Sequence, residues 1–167
     1  MKKLSILLFA LVLTVCAQAQ AHKYYAGFIY NFTRNMNWDA SRQSGDFVIA
    51  VVGDSPVTQY LEQMAATKTV GTQKIIIKKV SSASAASGAH VIFLPSGQSS
   101  QLSSAIGVAN SSKALLVTEA SGLARKGAAM NFVQDGGKVG FEINKSALST
   151  AKIQINSKLE SLGKIVG

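Results

Sequence analysis

Met130–Asn144 reads MNFVQDGGKVGFEIN, and its pattern sets how the rest of the chain is assembled. Two apolar runs, Met130–Val133 and Val139–Ile143, flank the turn Gln134-Asp135-Gly136-Gly137-Lys138. Asp tolerates the left-handed backbone region and Gly enters it without a Cβ clash, so the pattern predicts a hairpin. In the second run Val139, Phe141 and Ile143 alternate with Gly140, Glu142 and Asn144. Period two puts the apolar three on one face and Glu142 with Asn144 on the other. Either Glu142 is a solvated outer-face residue or it faces a groove and pairs with a cation, a lysine or a ligand amine. Lys158 and Lys164, in a closing helix predicted over Asn156–Val166, are the candidate counter-charges.

Upstream, the signals alternate between strand and helix. Phe47–Val52 (FVIAVV) is a continuous apolar run, suited to a strand buried on both faces. Ser55-Pro56 then opens a helix over about Val57–Ala66, with Ser55 as cap and Pro56 at the first helical position. Lys74–Val80 reads as the second strand, with Lys78-Lys79 marking an edge or a terminus. Ser81–Gly88 holds at most one helical turn; His90–Leu94 is the third strand; Gln98–Asn110 has helical spacing; Ala114–Val117 is the fourth strand. This order predicts parallel pairing. After Glu119–Gly127, which carries no strong helix signal, the hairpin Ala128–Ile143 adds antiparallel strands. Lys145–Thr150 is a short helical turn and Ile153–Ile155 a brief extended piece. The predicted fold is α/β in three layers: a mainly parallel central sheet, helices on both faces, and a C-terminal antiparallel hairpin.

The front of the chain reads differently. Met1-Lys2-Lys3 is a positive start, and Leu4–Val15 is an apolar run of 12 residues, short of the ~20 needed to span a bilayer. Ala17-Gln18-Ala19 and Ala19-Gln20-Ala21 both fit a small-x-small cleavage site. Residues 1–21 are therefore expected to be a cleaved secretory signal peptide, leaving residues 22–167 as one soluble exported domain. Leu13-Thr14-Val15-Cys16 outlines a lipobox, but Val15 is bulky where a small residue is usual, so cleavage is preferred over a lipid anchor at Cys16. Cys16 is the only cysteine, and its removal would leave neither a disulfide nor a thiol nucleophile. Beyond the leader, Lys23–Asn37 places Tyr24, Tyr25, Phe28, Ile29 and Phe32 at helical spacing, with Met36 one turn on and the single Trp38 next. The stripe suits a core face; a partner groove is the alternative.

Charge and composition narrow the function. The chain has 17 Lys+Arg against 8 Asp+Glu; without Lys2 and Lys3, 15 basic residues remain, an excess of +7. They are dispersed, without the aromatic interleaving of a nucleic-acid surface. Only His22 and His90 exist. His22 is near the processed end, and His90 opens a buried strand. There is no Gly-x-Ser-x-Gly elbow, no Cys/His metal spacing, no Asp/Asn-rich calcium loop and no paired carboxylates. The Gly53-Asp54-Ser55-Pro56 turn lacks a Walker or dinucleotide pattern. No catalytic residue, metal site or cofactor is assigned, and the reading is of a non-enzyme.

Ala26–Trp38 (AGFIYNFTRNMNW), Phe47–Val57 (FVIAVVGDSPV) and Met130–Asn144, continued by IQINSKLESLGKIV, together resemble the YfiR family of small periplasmic proteins, also called HmsC-like. The likeness covers nearly all of the chain after the leader. It implies a dimeric repressor that binds the periplasmic sensor domain of an inner-membrane signalling protein. That partner is a diguanylate cyclase, with cyclic-di-GMP and biofilm output, or a histidine kinase. On this reading exposed members of the aromatic helix, Tyr25, Tyr30 and Trp38, are docking candidates, because aromatics enrich interface centres. Asn131, Glu142, Asn144 and Lys158 are further ligand or partner candidates. The alternative is a non-catalytic small-molecule sensor or carrier with a pocket near Glu142. The chain departs from the family's habit in offering no mature cysteine for redox control and in carrying Lys158 and Lys164 where Arg is usual.

Overall fold

A computed structural model describes residues 21–135 and 138–167. The predicted leader, apart from Ala21, and Gly136-Gly137 of the predicted turn lie outside the described residues. Helix α1 covers residues 21–34 and is followed by β1 (Met36–Asn37). Then come β2 (Phe47–Val52), α2 (Val57–Ala65), β3 (Thr69–Val70), β4 (Gln73–Val80), β5 (Val91–Leu94), α3 (Leu102–Ser112) and β6 (Leu115–Thr118). The hairpin strands are β7 (Met130–Asp135) and β8 (Lys138–Ile143). Helix α4 (Lys145–Thr150), β9 (Gln154–Ile155), α5 (Ser157–Leu162) and β10 (Lys164–Ile165) complete the chain.

Eight strands form one sheet in the order β10-β8-β7-β6-β5-β2-β4-β3. The pairs β2–β4, β2–β5, β5–β6 and β6–β7 are parallel, whereas β7–β8 is antiparallel. The fold is thus the α/β arrangement expected, with helices on both faces. Alternation along the strands explains the two layers. Phe47, Ile49 and Val51 point to the side covered by α1 and α2, with Ile29, Phe32, Val57 and Leu61 opposite. Ala50 and Val52 point to the other side, where Ala83, Ala86, Ala105 and Ala109 meet them. The first layer is thick and aromatic. The second is built of alanines, which let α3 and the 3-10 turn Ala83–Ala86 approach the sheet closely.

The aromatic stripe of α1 is a core face. Tyr25 stacks on Phe132 with centroids 4.2 Å apart and planes 5° apart. Phe32 meets Phe141 edge-on at 4.9 Å, and Phe28 meets Phe141 at 5.5 Å. Helix α1 ends sooner than its spacing suggested. Met36 lies in β1, paired with β9 through Met36↔Ile155, and stays buried there.

The end of the chain corrects a second expectation. The closing helix predicted over Asn156–Val166 stops at Leu162, and β10 joins the free edge of β8 in parallel register, Lys164↔Glu142 and Ile165↔Ile143. Val166 N–H donates to the Ile143 carbonyl at 2.8 Å. Leu162 and Ile165 are 65% and 42% exposed. The unpaired backbone of an edge strand outweighs a helical continuation that would have left β8 open. Gly163 makes the approach feasible: a Cβ there would lie 2.5 Å from Phe141 Cε2 and 2.6 Å from Ile143 Cδ1. Gly163→Ala is expected to lower stability by about 1–3 kcal/mol, as overpacking does, and to release β10. Urea unfolding and amide exchange at Lys164–Val166 check both effects.

Candidate functional site

Residues predicted as one hairpin site separate in the structure. Asn131 and Glu142 face each other across β7 and β8. Buried Asn131 accepts from the Thr118 hydroxyl at 2.6 Å and donates from Nδ2 to Glu142 Oε2 at 3.4 Å. Thr118, Asn131 and Glu142 thus form a polar row on the face away from Phe132 and α1. Asn144 is engaged elsewhere: it caps α4 by accepting from Ala147 N–H at 3.0 Å, and donates to the Ala124 carbonyl at 2.7 Å. Lys158 is exposed on α5; it is Lys164, through the β10 register, that stands beside Glu142.

The helix candidates also divide. Tyr25, expected among exposed residues, is buried because its ring belongs to the core. Half-buried Tyr30 donates from its hydroxyl to the Thr69 carbonyl at 3.4 Å, and the Arg34 guanidinium lies 5.7 Å from its ring centroid. Trp38 packs edge-on against Phe47 at 5.2 Å and donates from Nε1 to the Thr33 carbonyl at 3.1 Å. A groove of about 620 Å³ beside it includes Arg34, Gln43 and Gln73. Its amides bind the protein itself: Gln43 Nε2 donates to the Trp38 carbonyl at 2.8 Å, and Gln73 Nε2 to the Arg42 and Ser44 carbonyls at 3.2 Å.

The strand order directs attention to another place. In open α/β sheets ligands sit outside the carboxyl ends of the strands, where crossovers diverge. Here the divergence is at β2, with β4 on one side and β5 on the other. That position is filled. Gly53 follows β2 at φ +71°, and Gln98 Nε2 lies 2.6 Å from where a Cβ would stand. Gln98 is held in turn by Gln101 Nε2, which donates to its Oε1 at 2.6 Å.

The open crevice lies towards β6 and β7, at the ends of β5 and β6. Two adjoining cavities of about 300 and 220 Å³ share Tyr25, Glu119 and Gln134 in their walls. Glu119 follows β6 directly, and its side chain is 11% exposed. Its Oε1 accepts from Ser96 N–H at 2.9 Å and from the Ser96 hydroxyl at 3.2 Å. Its Oε2 faces His22 Nε2 at 3.8 Å. Gln134 Nε2 donates to the Tyr25 hydroxyl at 3.1 Å. Burial pushes the Tyr25 pKa above its ordinary value of 10.0; the Gln134 hydrogen bond opposes this and the Glu119 charge adds to it. Sequence reasoning passed over Glu119, Ser96 and Gln134. The one signal that points to the first two is their position just past predicted strand ends.

The family pattern for YfiR/HmsC-like proteins matches residues 22–164. The chain belongs to the YfiR/HmsC-like family. No curated protein matches it in sequence. Among solved structures it is similar to a conserved domain protein from Vibrio cholerae O1 biovar El Tor str. N16961, with TM-score 0.62, 14% identity, and 87% of this chain and 60% of that chain covered. It is also similar to the ABC domain in complex with L-Trp from Streptococcus pneumonia, with TM-score 0.50, 13% identity, and 72% of this chain and 55% of that chain covered. The YfiR/HmsC-like chain thus spans less than two thirds of either one, and such identities show the fold alone. Among the described residues no helix is long and apolar enough to cross a membrane, and no group of three His, Cys, Asp or Glu is placed to hold a metal ion.

His90 has a role in holding this family member's sheet. It is buried and stacks on Phe47 at 4.4 Å. Nδ1 accepts from Val48 N–H at 3.1 Å, which leaves the ring proton on Nε2, donated to the Arg42 carbonyl at 2.9 Å. Burial lowers its pKa from 6.5; the bond to the Arg42 carbonyl works the other way, and the Arg42 charge adds to the lowering. The unfolded chain therefore takes the proton first. The contribution of neutral His90 is whole above about pH 6.5 and is lost as pH falls through the lower folded value. His90→Gln, which does not titrate, is expected to cost about 1–3 kcal/mol at pH 7.5. It should also lose less stability than the parent between pH 7 and 5, as read by urea unfolding.

Proposed function

We propose that this YfiR/HmsC-like protein is a non-catalytic periplasmic regulator that binds and represses the sensor domain of an inner-membrane signalling protein. The observation that carries this reading is the family match across residues 22–164, which takes in nearly the whole folded chain. The partner is a diguanylate cyclase or a histidine kinase, and cyclic-di-GMP and biofilm formation are the output in the first case. The regulator works as a homodimer, is exported by a cleaved leader, and uses no nucleic acid. Its docking surface includes Tyr30 and the exposed Arg34 beside it, which lines the groove next to Trp38. An aromatic ring with a cation stacked on it is a common centre for such contacts. On the opposite end of the sheet, the Asn131–Glu142 pair and Lys158 remain candidates for a second contact.

One observation favours a second reading, a small-molecule sensor or carrier. The sheet leaves a lined crevice at its carboxyl edge, and a protein of similar fold is described in complex with L-Trp. The two readings are compatible, since a ligand that binds one conformation better shifts the population that a partner meets. A thermal-shift screen of metabolites tests the second reading; absence of any stabilising compound would count against it. For the first, deleting the gene is expected to raise partner output, as cyclic-di-GMP or as response-regulator phosphorylation. Tyr30→Ala should reproduce that rise while the purified variant keeps its melting temperature within a few degrees. No change of either output on deletion would refute repression.

A further inference from the structure

We propose that the crevice at the carboxyl ends of β5 and β6 binds a small organic ammonium ion through Glu119. This deepens the small-molecule reading and is independent of the docking one. The first support is electrostatic. With 17 Lys+Arg against 8 Asp+Glu, a carboxylate in this chain has basic residues in excess. Yet the ion contact of Glu119 among the described residues is with His22, at 3.8 Å, beyond hydrogen-bond reach. A carboxylate so little exposed must be compensated. Ser96 supplies two donors, both to Oε1, and so fixes the group, while Oε2 faces His22, a lining residue of the same crevice.

The second support is shape. The two adjoining cavities are at the low end of ligand-site volumes, which suits a molecule well below drug size. Their shared wall is the Tyr25 hydroxyl end, Gln134 and Glu119. An ammonium carries three donors and no acceptor, and Glu119 Oε2 and the Tyr25 oxygen are acceptors on that wall. An anion would meet the Glu119 charge instead. The third support is location: Gln98 closes the usual ligand position after β2, whereas the crevice lies open at the carboxyl ends of β5 and β6.

The test uses two probes of like size and opposite charge, phenethylamine and phenylacetate, in thermal shift and calorimetry on the intact protein. Phenethylamine at ten times its Kd is expected to raise the melting temperature by about 3–5 °C, and phenylacetate to leave it unchanged. Glu119→Gln keeps an oxygen for Ser96 and should abolish the amine shift, whereas Glu142→Gln, on the other face of the sheet, should retain it. If Glu119→Gln fails to fold, Ser121→Trp, which fills the crevice wall and leaves Glu119 in place, should abolish the shift instead. No shift with the amine would overturn the proposal. A shift that survives in Glu119→Gln or Ser121→Trp would overturn the site. A shift with phenylacetate alone would overturn the ammonium class while leaving a small-molecule role standing.

Discussion

The ring of Tyr25 lies flat on that of Phe132, and this contact, with Phe28 and Phe32 against Phe141, fastens the start of the chain to its last hairpin. The rest of the molecule depends on it. The hairpin holds itself together through six residue pairs between β7 and β8, but it joins the parallel sheet through only two, Val117↔Met130 and Thr118↔Asn131. So short a ladder needs side-chain support. Each aromatic pair adds about 0.5–1.5 kcal/mol beyond the area it buries, which is large against the net stability of a domain. Behind it, the Thr118–Asn131 hydrogen bond pins the same junction from the opposite face.

That fastening also shapes the crevice. Because Tyr25 is held by Phe132, its hydroxyl is carried to Gln134, and the first turn of α1 brings His22 over Glu119. The crevice wall therefore combines the N-terminal helix, the loops after β5 and β6, and the hairpin. A ligand seated there would touch both the first helix and the hairpin. In a regulator, this is a physical route by which a small molecule could bias the helix surface around Tyr30 and Arg34.

Much of the architecture was legible because it is written locally. Asp135-Gly136-Gly137 between alternating apolar runs signals a hairpin, and FVIAVV followed by Ser55-Pro56 signals a buried strand feeding a helix. The structure keeps Ser55 Oγ as acceptor for Val57 N–H at 3.3 Å. What was not legible is what depends on distant partners. Lys164 and Ile165 read as the end of a helix until the open edge of β8 claims them as a strand. Asn144 has the period of an outward strand residue, yet it sits one residue past the strand, where a cap is needed for α4. Tyr25 carries no local sign that its stacking partner is Phe132. Glu119 and Ser96 are 23 positions apart, and only the pairing of β5 with β6 makes them neighbours.

The central functional claim is contact with a membrane signalling protein, and site-specific photo-crosslinking in living cells tests it most directly. With a photoreactive residue in place of exposed Arg34, the account expects one dominant adduct, an inner-membrane protein with a periplasmic domain, lost on Tyr30→Ala. Adducts confined to a second copy of the chain, or to soluble proteins of the cytoplasm, would contradict it.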